Sequence, residues 1–426
     1  MKYALVYPNW DFTGSSYFGC RDTHLPLELL FARQQLEAAN HEVLLVDAHL
    51  EALTPVAAGH RVRDFAPDFT VVTTAPSYLF WRCPQPELRV PAVWLAAVRA
   101  GVTVAIGPHP SATPAATLRK LNCDVALRGE PDGILPQLAD RPWADIAGCC
   151  WREQNGVHLD ARLPQMDLEA LHALDWHDYP LPLRRHRHHV FAGEGRGAEL
   201  EFSRGCPWNC TFCNKTLFRN HFRVRPVAAV LAEAEALARA GFDYAYFIDE
   251  IFGCGPRRRE LLAGMAELPL KFGMETRIDL WDEEALEQLG RAGCISMECG
   301  IESITPAGRE RFAKNCRLGT DRIAALLRFA RQRIPWVQAN LIAAPGDDRA
   351  AIASWRQELV AAGVWVSAPV PVFAFPGSPL FTEMFGPPGD DAWERAHALY
   401  LASNAEPGFS DIQEAAPRPL PDLEAA

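Results

Sequence analysis

The sequence predicts an α/β protein in which a doubly wound N-terminal domain precedes an open parallel barrel of six strand–helix units. Short apolar runs alternate with helical stretches on both sides of a Pro- and His-rich segment, which is typical of parallel sheets with crossover helices. A chain of 426 residues is also too long for one ordinary hydrophobic core. We therefore expect at least two domains.

The first domain is predicted to span residues 1–140 with a Rossmann-like arrangement. Its strands are expected at 3–7, 42–47, 69–74, 102–106 and 124–127, and its helices at 25–39, 91–100, 114–121 and 134–138. Such sheets bind ligands beyond the carboxyl ends of their strands. No Gly-rich phosphate-binding motif follows any of these strands, so a dinucleotide or a nucleoside triphosphate is not expected.

Residues 141–197 are predicted to connect the two domains. Apolar runs at 146–151 and 156–159 indicate a small hairpin. The basic, His-rich run at 184–189 is interpreted as a solvated face of the connection. A site for an anionic substrate or a metal is the alternative at this run.

The second domain is predicted to be a partial (β/α)6 TIM barrel spanning residues 198–375. Its strands are expected at 199–203, 243–249, 271–277, 294–301, 336–342 and 365–372, and its helices at 227–240, 257–267, 283–292, 321–332 and 349–362. Reactive groups in such barrels lie at the carboxyl ends of the strands. Residues 376–426 form the last predicted segment, a C-terminal extension with a helix near 391–402 and a disordered tail.

Composition narrows the class of partner. The net charge of -11 argues against a nucleic acid as the principal substrate. No run of 18 apolar residues exists to span a membrane, and Pro8 interrupts the first apolar run before a signal core could form. We therefore expect a cytoplasmic protein with no membrane partner, whose 12 cysteines are reduced thiols or metal ligands.

Three cysteines, Cys206, Cys210 and Cys213, are spaced C-x3-C-x2-C directly after the first barrel strand. This spacing suits a loop wrapped around a four-iron cluster, and three thiolates leave one iron open to a small molecule. A zinc site with His221 as the fourth ligand and a simple electron-transfer cluster are the alternatives. The other cysteines form no second C-x-x-C pair, so an auxiliary cluster is not expected.

Alternate side chains on a barrel strand face the lumen, and here those positions are polar. The lumen-facing set is predicted to be Glu201, Ser203, Glu275, Arg277, Ser296, Glu298, Gly300, Glu302, Gln338 and Asn340. A purely structural barrel would place Val, Ile and Leu at these positions. The carboxylates and Arg277 are therefore candidates to hold a zwitterionic ligand.

The cysteine loop resembles the signature of the radical SAM superfamily. Phe212 matches the aromatic residue before the last cysteine, and residues 247–250, 298–303, 343–348 and 376–380 are similar to further motifs of that family. The resemblance implies that the three cysteines hold a [4Fe-4S] cluster whose fourth iron binds S-adenosylmethionine (SAM), the source of a 5'-deoxyadenosyl radical. The candidate SAM contacts that it implies are Phe212, Asn214, Asp249, Glu275, Arg277, Glu298, Glu302 and Gln338.

Residues 1–140 resemble the cobalamin-binding-type domain of one large, class B-like branch of this superfamily. The similar stretches are 26–27, 40–43, 107–109 and 128–131. The implied cobalamin contacts are Asn9, Thr74, Gly107, His109, Gly129 and Glu130. The cobalt-ligating D-x-H-x-x-G motif is incomplete, because Leu27 follows His24 where glycine would stand, so His24 is expected to begin a helix.

The resemblance implies a cobalamin-dependent radical SAM enzyme, in the leading interpretation a methyltransferase acting on an unactivated carbon of a small metabolite. A flavodoxin or ferredoxin-type protein would supply electrons. The alternative is a non-methylating radical SAM enzyme that catalyses cyclisation, dehydrogenation or epimerisation, with or without cobalamin. A non-catalytic zinc or iron-sulfur protein is the remaining reading.

Overall fold

Two sheets with parallel cores organise the chain, as the alternation of strands and helices predicts. The computed structural model describes residues 1–10, 24–77, 88–176, 178–181, 196–217, 219–344 and 346–404. Within these ranges one sheet has seven strands and the other has six, and a two-stranded ladder follows the first strand of the six-stranded sheet in sequence. The basic run at 184–189 and the predicted disordered tail from 414 fall outside the described residues.

The first sheet is doubly wound. Its strands are β1 (Lys2–Tyr7), β2 (Glu42–Asp47), β3 (Phe69–Thr73), β4 (Val102–Ile106), β5 (Val125–Leu127), β6 (Cys149–Glu153) and β7 (Gly156–His158). They lie in the order β2-β1-β3-β4-β5-β6-β7, and the first five are parallel. The direction of winding reverses between β1 and β3, which places the ligand crevice of this fold at their carboxyl ends.

The helices of this domain are α1 (Leu27–Ala38), α2 (Pro55–Phe65), α3 (Arg89–Ala97), α4 (Pro108–Ala112) and α5 (Pro114–Lys120). Residues 135–138, where the sequence predicts a helix, form a 3-10 turn. Helix α2 is not predicted from the apolar pattern, because Gly59 and several polar residues interrupt it. Its start nevertheless carries a signal, since the Thr54 side chain accepts a hydrogen bond from the Ala57 amide and Pro55 occupies the first helical position.

The predicted hairpin is present, but it does not belong to a connection between the domains. Strand β6 pairs antiparallel with β5, so the hairpin extends the first sheet. Cys149 and Cys150 at the start of β6 are fully buried in the core of that sheet, and this burial explains why the pairing forms. The interdomain connection therefore follows His158 rather than containing the hairpin.

The second sheet is the predicted six-stranded partial barrel. Its strands are β8 (Gly197–Leu200), β11 (Tyr244–Phe247), β12 (Lys271–Thr276), β13 (Cys294–Glu302), β14 (Trp336–Leu341) and β15 (Trp365–Val366). Between β8 and β11, strands β9 (Ser203–Arg204) and β10 (Arg223–Val224) form a separate short ladder. The six parallel strands lie in the order β15-β14-β13-β12-β11-β8. The sixth strand is shorter than predicted, because Pro369 and Pro371 lack the N–H donors that would continue it.

Five helices that cover the barrel and the last helix of the extension follow the predicted positions closely, whereas the helices Pro306–Arg311 and Pro379–Phe385 are not predicted from the sequence. In chain order these helices are α6 (Val227–Arg239), α7 (Arg258–Ala266), α8 (Glu283–Arg291), α9 (Pro306–Arg311), α10 (Thr320–Arg331), α11 (Arg349–Ala361), α12 (Pro379–Phe385) and α13 (Ala392–Asn404). No helix in the described part of the chain is both long enough and apolar enough to cross a membrane.

Helix α1 contributes to both hydrophobic cores. Leu29 and Leu36 pack in the core of the first sheet, whereas Leu30 and Phe31 pack with residues of the barrel. At its start, Nδ1 of His24 lies 2.5 Å from Oε1 of Glu199 on β8. His24 therefore fastens the beginning of α1 to the barrel, in line with its expected place at a helix start.

The C-terminal extension also joins the two domains. Nε1 of Trp393 on α13 donates to Oγ1 of Thr113 at 3.2 Å, and its ring centroid lies 4.4 Å from that of His109. Lys120 at the end of α5 donates to the carbonyl of Asp390 at 2.7 Å. Helix α13 thus holds the first domain against the barrel.

A buried group of charged residues connects the carboxyl edges of the two sheets. We call it the interdomain ion cluster, and its members are Glu130, Asp132, Glu201, Arg204, Arg219, Arg223 and Glu250. Arg204 is 1% exposed and lies at its centre. Its guanidinium donates to Glu201 at 2.9 Å and, across the domain boundary, to Asp132 at 2.6 Å and Glu130 at 3.3 Å.

The other two arginines complete the pairing. Arg219 contacts Glu201 at 2.8 Å and Glu250 at 3.0 Å, and Arg223 binds both carboxylate oxygens of Glu130. Burial alone would raise the pKa of Glu201, but Arg204 and Arg219 hold it down at about 2. Glu201 is therefore stable as an ionised group in the interior only together with these arginines, whereas burial raises the pKa of Asp132 and of Glu250.

We expect Arg204→Met to lower the free energy of unfolding by about 3–5 kcal/mol, because it leaves buried carboxylates on both domains without their cation. Urea denaturation at neutral pH measures the change. The matched control is Arg239→Met, which removes an exposed pair with Glu235 and should cost about 0.5 kcal/mol or less. Equal losses of unfolding free energy in the two variants would contradict the proposed contribution of the cluster to stability.

Candidate cluster and cofactor site

The three cysteines lie on a loop whose two ends are paired. Strand β9 before the loop and strand β10 after it form an antiparallel ladder, with Arg204 opposite Arg223. Gly205 opens the loop with φ 84°, and a Cβ at this position would stand 2.2 Å from the carbonyl oxygen of His221. Its N–H donates to Oε2 of Glu250 at 2.8 Å. Only glycine fits this turn without a shift of the backbone.

Lys215 braces the inside of the loop. It is buried, and its Nζ donates to the carbonyl of Cys206 at 2.5 Å and to the carbonyl and Oδ1 of Asn220, both at 3.1 Å. A single ammonium therefore connects the first cysteine to the far end of the loop. This role is not predicted from the sequence, although a lysine two residues after the last cysteine was the available signal.

The loop is also bound from outside. The Thr211 N–H donates to the carbonyl of Phe312 at 3.0 Å, and the Leu380 N–H at the start of α12 donates to the carbonyl of Thr211 at 2.8 Å. The ring of Phe212 meets Phe312 edge-on, with centroids 5.6 Å apart. Phe212 thus anchors the loop against the residues that follow α9.

Burial keeps the three cysteine thiols protonated, so a bound cation is needed to stabilise their thiolate forms. Burial raises the pKa of Cys206 to about 11 and that of Cys213 to about 12, and it also raises the pKa of Cys210. A metal would supply the positive charge that stabilises the thiolates. Among the described residues, no three His, Cys, Asp or Glu side chains converge closely enough to hold a single metal ion. Thiolates that each ligate a different iron do not need such convergence.

Strand register brings several of the predicted lumen residues together. Glu275 on β12 is paired with Glu298 on β13, which is paired in turn with Gln338 on β14. The hydroxyl of Tyr246 lies 3.3 Å from Oε1 of Glu275 and 3.4 Å from Oε1 of Glu298. Nε2 of Gln338 donates to Oδ1 of Asn340 at 2.8 Å. These side chains form one polar surface across four strands, β11 to β14.

Glu302 ends β13 in a strained conformation. Its φ of 65° is uncommon for a residue with a side chain and is typical of positions that the surroundings hold for a function. Lys314 Nζ donates to its Oε1 at 2.8 Å, and the Ile342 N–H donates to its carbonyl at 2.7 Å. A Cβ on Gly300 would stand 2.6 Å from the same Oε1, so a larger residue there would require the Glu302 carboxylate to move.

Three polar side chains of the barrel domain carry buried atoms that have no hydrogen-bond partner in the described part of the chain. They are both amide atoms of Asn214, Nη1 of Arg277 and Oγ of Ser296. The guanidinium of Arg277 lies 4.1 Å from the ring of Trp208 in the loop, while its Nη2 donates to Asp279 at 2.7 Å. Buried polar atoms of this kind are normally satisfied, so they fit a site completed by a ligand.

Both carboxylate oxygens of Asp249 bind the residues that follow the first barrel strand. It accepts hydrogen bonds from the Phe202 N–H at 3.1 Å and from the N–H and hydroxyl of Ser203. Burial raises its pKa to about 7. These bonds replace ladder bonds, which explains why β8 ends at Leu200 and not at Ser203 as predicted. A contact between Asp249 and SAM stays a prediction.

The candidate cobalamin residues surround the carboxyl ends of β3, β4 and β5. Thr74 Oγ1 donates to the carbonyl of Ile106 at 3.0 Å, next to Gly107 with φ 120°. Gly129 has φ 79°, and its N–H donates to Oγ of Ser111 at 3.1 Å. These contacts bring Thr74, Gly107 and Gly129 to one edge of the sheet.

The remaining three cobalamin candidates lie in different environments. His109 is buried beside Trp393, and Asn9 is half-buried after β1. Glu130 belongs to the interdomain ion cluster and accepts the Met166 N–H at 2.7 Å as well. Its carboxylate thus has a structural role between the domains, and its contact with cobalamin stays a prediction.

The cysteine loop lies directly against the first domain. The turn Lys215–Leu217 lies beside α4, and Leu217 packs with Ala112, Phe375 and Trp393. Helix α4 follows β4 at the carboxyl edge of the first sheet. The two candidate sites are therefore neighbours.

Gly205→Ala is expected to prevent the cysteine loop from forming, because the left-handed conformation alone costs about 1–3 kcal/mol and the added Cβ would clash with the His221 carbonyl. Iron and sulfide content after anaerobic reconstitution should fall well below that of the unmodified protein. Gly319→Ala is the matched control, since φ there is -69° and nothing lies within 4 Å of the new methyl group. Full iron content in Gly205→Ala would contradict this account of the turn.

Comparison with known protein families identifies the barrel. The radical SAM superfamily profile matches residues 200–356, which contain the cysteine loop and most of the barrel. Three relatives are an uncharacterized methyltransferase of Pyrococcus horikoshii, the hopanoid C-3 methylase of Methylococcus capsulatus and an anaerobic magnesium-protoporphyrin IX monomethyl ester cyclase of Cereibacter sphaeroides. They are 26%, 26% and 22% identical over 72%, 78% and 80% of this chain. The chain spans 66%, 64% and 56% of their respective lengths.

Two solved structures share the fold over both domains. TsrM from Kitasatospora setae, a radical S-adenosylmethionine methyltransferase with cobalamin and a [4Fe-4S] cluster bound, matches 90% of this chain and 77% of its own with a TM-score of 0.71 and 18% identity. OxsB, a cobalamin-dependent S-adenosylmethionine radical enzyme with aqua-cobalamin bound, matches 97% of this chain and 64% of its own with a TM-score of 0.70 and 14% identity. Residues 200–356 therefore contain a radical SAM domain, and the chain shares the two-domain fold of TsrM and OxsB.

Proposed function

We propose that this protein is a cobalamin-dependent radical SAM enzyme that methylates an unactivated carbon of a small molecule. The observation that carries the proposal is the direct contact between the cysteine loop and the carboxyl edge of the first sheet, through Leu217 and Ala112. A ligand of the first domain would therefore lie next to a ligand of the cluster. Transfer of a group between two cofactors requires this proximity.

On the barrel side, Cys206, Cys210 and Cys213 would hold the [4Fe-4S] cluster. The unpartnered Nη1 of Arg277 suits a carboxylate such as that of the SAM methionine, because guanidinium–carboxylate bonds are strong and directional. The polar surface formed by Glu275, Glu298 and Gln338 offers acceptors for the SAM ammonium and ribose. These assignments are supported by the geometry of the described residues.

On the side of the first domain, cobalamin would lie beyond the carboxyl ends of β1, β3, β4 and β5. When bound, the cluster and SAM supply a 5'-deoxyadenosyl radical, and cobalamin supplies a transferable methyl group. The protein orients the two and excludes water through the packing of α13 and the interdomain ion cluster. TsrM and OxsB, which have bound cobalamin, support this placement.

The proposed reaction is balanced by two molecules of SAM and two electrons. One SAM gives methionine and 5'-deoxyadenosine, which carries the hydrogen taken from the substrate, and the other gives S-adenosylhomocysteine and the methyl group. We propose a flavodoxin or ferredoxin-type protein as the electron donor and a cytoplasmic location, where thiols stay reduced. Two relatives named as a methyltransferase and a methylase support methyl transfer.

A non-methylating radical reaction is the second candidate, because one relative is named a cyclase. Such a reaction would consume one SAM per turnover without S-adenosylhomocysteine. A mononuclear zinc site is a weaker candidate, because His221 and the three cysteines form no converging set among the described residues. The products formed from SAM distinguish these possibilities.

The test is an anaerobic incubation of reconstituted protein with hydroxocobalamin, SAM and a chemical or flavodoxin reductant. We expect both 5'-deoxyadenosine and S-adenosylhomocysteine by liquid chromatography and mass spectrometry. Cys210→Ala should lose 5'-deoxyadenosine formation while it keeps its circular dichroism spectrum, because the cluster then lacks a ligand. Formation of 5'-deoxyadenosine without S-adenosylhomocysteine would favour the second candidate, and retained SAM cleavage in Cys210→Ala would refute the cluster assignment.

A further inference from the structure

Glu28 in the first turn of α1 is a buried carboxylate that has no role in the cluster and cofactor site described above. It is 3% exposed and stands in an otherwise apolar run, between Leu27 and Leu29. A helix that only packs between two hydrophobic cores would be more stable with an aliphatic residue at this position. Glu28 is not among the residues predicted from the sequence, although a charge within this apolar run was the available signal.

The contacts of Glu28 place it at the crevice of the first domain. Its Oε2 accepts a hydrogen bond from Oγ of Ser77 at 2.6 Å, and the N–H of Ser77 donates to the hydroxyl of Tyr7 at 3.0 Å. Tyr7 is the last residue of β1, and Ser77 lies shortly after the end of β3. Because the winding of the sheet reverses between these two strands, Glu28 lies where doubly wound domains bind their ligands.

The second carboxylate oxygen of Glu28 has no hydrogen-bond partner in the described part of the chain. Oε1 is buried, and the described residues provide no hydrogen bond to it. Burial raises the pKa of Glu28 to about 7, which shows how weakly its surroundings solvate the charge. An unsatisfied buried acceptor is costly, so a ligand that brings an N–H donor to Oε1 would recover that free energy.

The surroundings also define the kind of donor. Glu201 of the interdomain ion cluster lies close enough to raise the pKa of Glu28 further, whereas Arg219 opposes that effect. A carboxylate on the ligand would be repelled by Glu28, but a neutral amide would not. Corrinoids differ in this respect, because the side chains of cobalamin are amides and those of its early biosynthetic precursors are carboxylates.

We propose that Glu28 accepts, through Oε1, a hydrogen bond from a primary amide of the corrin ring and so selects amidated corrinoids over their carboxylate forms. This inference rests on the proposed cobalamin cofactor. Ser77 is a positioning residue, since it fixes the other oxygen of Glu28.

Equilibrium dialysis of the full-length protein at about pH 8.5, above the pKa of Glu28 of about 7, against hydroxocobalamin, dicyanocobinamide and cobyrinic acid tests the proposal. The unmodified protein should bind both amidated corrinoids at least about tenfold more tightly than the carboxylate form, cobyrinic acid. Glu28→Leu should weaken hydroxocobalamin binding by about tenfold or more, because it removes a hydrogen bond to a charged acceptor. Glu28→Gln keeps an acceptor but loses the charge, so the preference against cobyrinic acid should shrink.

The matched control is Glu37→Leu, which replaces an exposed glutamate near the end of the same helix. It should bind all three corrinoids like the unmodified protein. Circular dichroism and thermal melting of each variant show whether α1 remains folded, and Glu28→Gln tests the charge even if Glu28→Leu does not fold.

Unchanged hydroxocobalamin binding by a folded Glu28→Leu, or an unchanged preference in Glu28→Gln, would overturn the role of Glu28 and leave the proposed function standing. If the unmodified protein binds no corrinoid, both the role of Glu28 and the cobalamin-dependent function are refuted. If the unmodified protein binds cobyrinic acid as tightly as hydroxocobalamin, the selectivity alone is refuted.

Discussion

The interdomain ion cluster is the interaction on which the rest of the structure depends. Arg204 follows the first barrel strand, yet it contacts Glu130 and Asp132 beyond the last parallel strand of the other sheet. Buried charges are stable only when all are paired, so these contacts fix the relative position of the two carboxyl edges. The same arginine pairs with Glu201, which connects the interface to the base of the cysteine loop.

The cysteine loop inherits its geometry from this interface. Strand β9, which contains Arg204, pairs with β10, and Glu250 binds Arg219 and the Gly205 N–H. The turn that precedes the first cysteine is thus anchored to the charges that join the domains. We infer that domain docking and the formation of the cluster site are coupled, because a displaced Arg219 would release Glu250 and with it the start of the loop.

The sequence predicts most of the architecture because periodicity and strand parity are local signals. Alternation along each strand predicts that Glu275 and Glu298 both face the lumen, and the register between the two strands, which alternation does not fix, pairs the two residues. The bonds that replace the end of β8, from Asp249 to the Ser203 backbone, involve residues 46 positions apart, and no local pattern indicates them. The role of Glu28 is hidden for the same reason, since Ser77 and the crevice meet it only in the folded domain. Features that depend on residues close in sequence were therefore predictable. The partners of buried charges, which lie far apart in sequence, were not.

The central claim is that one chain holds a cluster on the barrel and a corrinoid on the first domain, across a single interface. The most direct test is metal and sulfide analysis of anaerobically reconstituted protein that has been supplied with hydroxocobalamin and then washed. The account predicts about four irons and about four sulfides together with about one retained cobalt per chain. One zinc with no iron or sulfide, or a full iron content with no retained cobalt, would contradict it.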